Sequence, residues 1–148
     1  MSEGRARRSS VLLFAGFVAG GVSSCNEVLT FSTFLGGSAS EGVRDVAVDA
    51  VGNLYVAGGT ESANFPVTAG AFQTTHNPGT PESPAVTRND VFVAKFDPTG
   101  RQLIWSTFIG GPNHDRAYAI EVDESGFVYV CGRAGRGFPV TAGAFQVS

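Results

Sequence analysis

Of 148 residues only one is lysine, two are histidine and two are cysteine, and charged side chains make up 16% of the chain. Each scarcity excludes something. Arg5, Arg7 and Arg8 fall in the first ten positions, and the remainder carries seven basic against twelve acidic residues, a net charge of −5. A mildly acidic body lacks the electrostatic footprint of a nucleic-acid binder, so no nucleic-acid partner is expected. His76 and His114 lie in separate loops with no second His or Cys at ligand spacing, which reads both as solvated loop residues and leaves no metal site. The longest apolar run, Val11–Val22, is about twelve residues, short of the roughly twenty that span a bilayer. No segment after residue 25 keeps a helical period. What is abundant is Gly, at 20, and Phe, at 12, among many β-branched residues. That mixture suits short strands and tight turns, and the expected class is all-β.

The first 25 residues read as an address. A basic start with Arg5, Arg7 and Arg8 precedes the apolar run, and small residues lead to Cys25. This is the layout of a secretory signal peptide, assigned to residues 1–24. Val22-Ser23-Ser24-Cys25 resembles the lipobox of bacterial lipoproteins. That resemblance implies lipidation of Cys25, a short tether over 25–28 and membrane attachment through the lipid. Ordinary cleavage nearby is the alternative, and the location is then secreted or periplasmic. If Cys25 is acylated, Cys131 has no intrachain partner. Cys131 also stands in "FVYVCGR" where the sister segment "NLYVAGG" has Ala57, and reads as a small buried residue.

The body is a repeat. Leu29–Gly58 aligns without gaps on Leu103–Gly132 at an offset of 74, with twelve of 30 pairs identical. Ser32-Thr33-Phe34 recurs as Ser106-Thr107-Phe108, and Gly36-Gly37 as Gly110-Gly111. At an offset of 73, the nine letters FPVTAGAFQ at Phe65–Gln73 recur unchanged at Phe138–Gln146. One structural unit is therefore made twice. Within it, "VRDVAVDAVGNLYVAGG" predicts a hairpin turning at Asp49 and Gly52, and "AYAIEVDESGFVYVCG" repeats it at Asp123 and Gly126. "DVFVAKFDPTGRQLIWSTFIGG" predicts a second hairpin turning at Asp97 and Gly100. Asp suits such turns by accepting nearby backbone N–H bonds, and Gly by adopting positive φ. Strands are expected near 43–49, 53–58, 90–97 and 103–109, with one more at 29–36 and a further pair within 117–133.

Four antiparallel strands per repeat with Gly-Gly punctuation describe a propeller blade. "STFLGG…VAVDAVGNLYVAGGTESANFPVTAGAFQ" and "DVFVAKFDPTGRQLIWSTFIGG" resemble the bacterial β-propeller repeat family called SBBP, over nearly all of residues 29–148. The resemblance implies a propeller of the seven-bladed type in secreted or surface proteins, and brings no catalytic residues or cofactor. Cys131 and the shortened loop "RAGRG" depart from the family pattern. FPVTAGAFQ reads as a staple on the connection after a blade's second strand. Phe65 and Phe72 are its expected aromatic anchors, Phe138 and Phe145 those of the second copy, with Pro66, Pro139 and Gly70 setting the bends. Residues 74–89, "TTHNPGTPESPAVTRN", read as an exposed loop that could carry contacts.

The chain thus supplies one whole blade and parts of two neighbours, whereas a propeller closes with about four to eight. A truncated or split reading frame is the first expectation and assembly with other copies the second. Unpaired strand edges would favour strand exchange or aggregation. No catalytic constellation emerges. The acids Asp115, Glu121, Asp123 and Glu124 lack calcium-loop spacing, and GRAGRG at 132–137 lacks the context of a nucleotide fingerprint. The innermost-strand candidates Val46, Val48, Ile120 and Val122 are apolar, against a polar central channel. The expected function is a non-enzymatic, exported binding or scaffold module for a protein or glycan. The alternative is part of a propeller lyase or hydrolase whose site lies in other blades.

Overall fold

The computed structural model describes residues 11–15, 31–77, 79 and 88–147. Cys25, the tether over 25–28, most of the leader and most of the 74–89 loop lie outside the described residues. Eight strands and no helix occur among the described residues: β1 (Val11–Ala15), β2 (Phe31–Leu35), β3 (Glu41–Val48), β4 (Leu54–Thr60), β5 (Asp90–Phe96), β6 (Leu103–Ile109), β7 (Arg116–Val122) and β8 (Val128–Arg133). Strands β3-β4-β5-β6 form a four-stranded antiparallel sheet, and β1-β2 and β7-β8 form two-stranded ones. The repeat explains the count. Strands β3 and β4 correspond to β7 and β8, and β2 corresponds to β6.

The correspondence reaches individual irregularities. A register shift lies between Val43 and Asp45 in β3 and another between Ala117 and Ala119 in β7, the same place one repeat apart. It also extends to β1, the start of the apolar run read as a leader. Val11 opposes Leu35 and Leu13 opposes Thr33, just as Val91 opposes Ile109 and Val93 opposes Thr107. Strand β1 therefore lies on β2 in the register that β5 keeps on β6.

The three sheets stack. On one face of the central sheet, Leu54, Val56, Phe92, Ala94, Phe96 and Phe108 enclose Leu35 of β2, with Phe31 packed alongside. On the other face, Tyr55, Ala57, Val91 and Val93 enclose Ala117 and Ile120 of β7. Alternation along β4 and β5 sends successive side chains to opposite faces, so a strand apolar at nearly every position is buried on both. Apolar continuity here marks a sheet sandwiched between neighbours.

This stacking corrects the placement of four residues. Ile120 is buried between the blades, and Val122 packs against the same cluster, so neither lines a channel. Val46 and Val48, their counterparts in β3, are exposed because no paired strands cover that face of β3 among the described residues. Asp45 links the two innermost strands, its Oδ2 accepting the Ile120 N–H at 3.0 Å.

Candidate functional site

The two ends of the blade are built from different chemistry. At one end stand the three hairpin turns. Gly52, Gly100 and Gly126 have φ of 88°, 66° and 84°, the left-handed region that glycine enters without a steric penalty. Each turn is closed by an aspartate. Asp49 Oδ1 accepts the N–H of Val51 at 3.1 Å and of Asn53 at 2.8 Å, while Oδ2 accepts Asn53 Nδ2 at 2.7 Å and the Tyr55 hydroxyl at 3.2 Å. Asp123 repeats this with Ser125, Phe127 and Tyr129. Asp97 accepts from the backbone of Thr99, Arg101 and Gln102 and from the Thr99 hydroxyl.

These bonds fix the charge state. Partial burial opposes ionisation of Asp49, but the Asn53, Tyr55 and Val51 donors together outweigh it and hold its pKa at about 2. The Thr99 hydroxyl, with backbone donors, lowers Asp97, and the Phe127 N–H leads in lowering Asp123. Lys95 lies 3.5 Å from Asp49 and 4.7 Å from the centre of the Tyr55 ring, and the Tyr55 hydroxyl foremost keeps its ammonium charged to higher pH.

The opposite end is a buried polar rim. Glu41, at the start of β3, accepts hydrogen bonds from the hydroxyls of Thr60 (3.0 Å) and Ser62. Asp90, at the start of β5, is fully buried, and its Oδ2 accepts the Asn77 N–H at 2.8 Å and Gln73 Nε2 at 3.1 Å. Asp115, ahead of β7, is also fully buried and accepts the N–H groups of Gly111 (2.8 Å) and Gly135 (2.6 Å). Burial pushes the Asp90 carboxyl upward, with the nearby Asp115 adding to the effect against the opposing pull of its donors and His76. Gly110 packs so closely that a side chain there would meet the Asp90 carboxylate at 2.4 Å.

Both histidines belong to this rim, which corrects their reading as solvated residues. His76 is buried, with Nε2 3.2 Å from the Arg88 carbonyl oxygen and its ring 5.8 Å from that of Phe108. His114 is buried beside Asp115. Loop polarity concealed this, because the loops fold back over the sheet end. Among the described residues, no group of three His, Cys, Asp or Glu side chains could hold a metal ion.

The staple docks differently from its sequence reading. Phe65 is buried against Phe92, at 4.6 Å between ring centres, and Phe108, at 6.0 Å. Phe72, the second expected anchor, is 74% exposed, and its counterpart Phe145 is exposed as well. The grip comes instead from Thr68 and Gln73. The Thr68 N–H donates to the Ser106 carbonyl at 3.1 Å while its Oγ1 accepts the Ser106 N–H at 3.1 Å. The Gln73 carbonyl accepts the Phe108 N–H at 3.0 Å, and its side chain bridges the Gly110 N–H and Asp90. The motif therefore lies along the outer edge of β6 and satisfies its backbone. Gly70 and Gly143 both have φ of 79°, so the two copies bend alike. Pro66 and Pro139 follow the two phenylalanines, and Phe138 is half-buried against β7 and β8. The signal for Thr68 and Gln73 was present in the invariance of all nine letters.

Cys131 completes the corrections: it is an exposed free thiol, whereas Ala57 at its counterpart position is fully buried. Strand β5 pairs with the outer edge of β4, but no strand pairs with the outer edge of β8 among the described residues.

Sheet order, turn chemistry and a repeated staple now stand together. Residues 104–139 match the SBBP family, described as a β-propeller repeat. The chain carries an SBBP repeat. The matched segment covers most of β6, all of β7 and β8, and the first two residues of the second staple. It therefore runs from the last strand of one blade through the first two of the next. No curated protein matches the chain. The blade is all-β, and its register shift and positive-φ glycines recur from one copy to the next.

Proposed function

We propose that the chain is an exported, non-enzymatic SBBP module that presents loops on a rigid blade for binding a protein or glycan. The observation carrying this is where the ionisable side chains go. Asp90 and Asp115 tie staple, loop and strand backbone together at the rim, and Asp49, Asp97 and Asp123 close turns. Each of these carboxylates is engaged with fixed donors, a use that supports a scaffold over a reaction centre. The rim carries crossing segments, including residues 74–77, and loops on a rigid sheet are where binding residues concentrate.

Export follows from the leader chemistry, with Cys25 as a lipid anchor at the outer membrane or cell surface. No helix among the described residues is long and apolar enough to cross a membrane. The test is the intact mass of the protein recovered from membranes of a bacterial host, with protease accessibility on whole cells. A chain beginning at Cys25 with diacylglyceryl and acyl additions, cleaved from outside, is the expected result. An uncleaved cytosolic chain overturns export; an unmodified exported chain removes the anchor.

A further inference from the structure

The first strand of each repeat carries one side chain that the sheet does not use. In β3, Val43 opposes Gly58 and Asp45 opposes Ala57, so Arg44 has no partner on β4. In β7, Ala117 opposes Gly132 and Ala119 opposes Cys131, so Tyr118 has none on β8. These are β-bulges, which insert one residue and re-aim a side chain. The glycine opposite each belongs to the device. A Cβ on Gly58 would lie 2.1 Å from the Gly42 carbonyl oxygen, and one on Gly132 would lie 2.1 Å from that of Arg116. The same kink is therefore encoded in both copies, while the residue it displays changes from arginine to tyrosine.

A neighbouring blade does not cover this position. Ala47 of β3 packs in one cluster with Ala117 and Ile120 of β7, so β3 has the following blade beside it and β7 the preceding one. Arg44 is nevertheless exposed, and Tyr118 is 53% exposed. Two residues on, the behaviour differs: Val46 is 44% exposed, whereas its counterpart Ile120 is buried by the blade it faces. The bulge side chain thus stays outside the sandwich with a blade on either side. Its place is the inner edge. The outer edge of the sheet, at β6, is taken by the staple through Thr68 and Gln73. At the other edge the first strands of successive blades meet, where Asp45 accepts the Ile120 N–H. Blades joined at their first strands and stapled at their last turn the first strands toward the central channel.

We propose that Arg44 and Tyr118, on neighbouring blades, form a binding site for an acidic glycan at this inner edge. The proposal rests on the binding-module reading above and names its ligand. A guanidinium pairs with a carboxylate through two parallel hydrogen bonds. Arg44 is available for this, since neither it nor Tyr118 makes a side-chain hydrogen bond or ion pair among the described residues. The adjacent Asp45 does not compete for it, because its carboxylate oxygens accept the N–H groups of Val46 at 2.9 Å and Ile120 at 3.0 Å. Tyrosine offers a flat apolar ring with a hydroxyl at its tip, which suits the C–H face and hydroxyls of a sugar. The two side chains together match a unit that joins a carboxylate to a sugar ring, as a uronic acid does. The acidic body of the chain repels polyanions at large, so such a ligand is held by local contacts.

The test is a titration of oligogalacturonate into the isotope-labelled chain recovered from the exported fraction of a bacterial host, followed by amide shifts. The amides of residues 43–46 and 117–120 are expected to shift together. The methyl ester of the same oligomer, which is neutral, should bind about tenfold or more weaker, and Arg44→Ala should cause a similar loss. Tyr118→Ala should weaken binding about fivefold, and Phe72→Ala, on the staple at the outer edge, should leave it unchanged. All three residues are exposed, so the variants should keep the circular dichroism of the parent. Equal affinity for acid and ester overturns the proposal, as does binding that Arg44→Ala and Tyr118→Ala leave intact. The absence of binding at about millimolar probe also overturns it. A polyglutamate peptide that shifts the same amides at lower concentration assigns the site to a protein and overturns the glycan. None of these results bears on export, which intact mass reports separately, so failure of this ligand and failure of the exported-module reading are distinguishable.

Discussion

The complete blade and the open blade are built from nearly the same sequence, yet one has an interior and the other does not. Tyr55, Val56 and Ala57 of β4 are buried, while Tyr129, Val130 and Cys131 of β8 are exposed or half-buried. Their turns are alike: Asp49 and Asp123 make corresponding backbone and tyrosine bonds. Local sequence therefore sets the hairpin, and the neighbouring strand sets burial. The apolar stabilisation of a blade, of order 25 cal/mol per Å² removed from water, arrives only with its third and fourth strands.

The largest break in this comparison is expected at the matched phenylalanines. Phe108→Ala should lose about 3–5 kcal/mol of stability by urea unfolding, as other buried Phe truncations do. Phe34→Ala should stay within about 0.5 kcal/mol, as a surface change. Equal losses would mean that β2 is already packed as β6 is. The staple comes next. Thr68→Val removes the two bonds its Oγ1 makes with the buried Ser106 backbone, donated to the carbonyl at 3.2 Å and accepted from the N–H at 3.1 Å, and should cost about 1–3 kcal/mol, whereas Thr141→Val should cost under about 0.5 kcal/mol.

The two ends of the complete blade should respond oppositely to pH. The Asp90 carboxyl is raised in the fold, so its contribution is full below the unfolded value of 3.8 and is lost as pH rises through the folded value. Asp90→Asn cannot ionise and should gain on the parent as pH rises from 4 towards 7 (about that range, by urea unfolding). Asp49 is depressed to about 2, so its contribution is present above the unfolded 3.8 and lost as pH falls towards 2. Asp49→Asn should flatten that acid limb, the smallest of these effects. Identical pH profiles for the two variants would remove the distinction between rim and turn.

Strands and turns were legible because period-two alternation and Asp/Gly spacing are local. Strands expected at 43–49, 53–58, 90–97 and 103–109 lie at Glu41–Val48, Leu54–Thr60, Asp90–Phe96 and Leu103–Ile109. What was not legible depends on partners distant in sequence. The segments holding His76 and His114 fold over the sheet end, Phe72 yields its role to Thr68 and Gln73, and Cys131 lies exposed because no strand pairs with the outer edge of β8 among the described residues. The placement of Val11–Ala15 on β2 is likewise invisible locally, since the same apolar letters serve a leader as well as a strand.

The most direct measurement is hydrogen exchange of the β4 and β8 amides. The account predicts that Val128–Arg133, paired on one side, exchanges far faster than Leu54–Thr60, paired on both. Protection of β8 equal to that of β4 would contradict it.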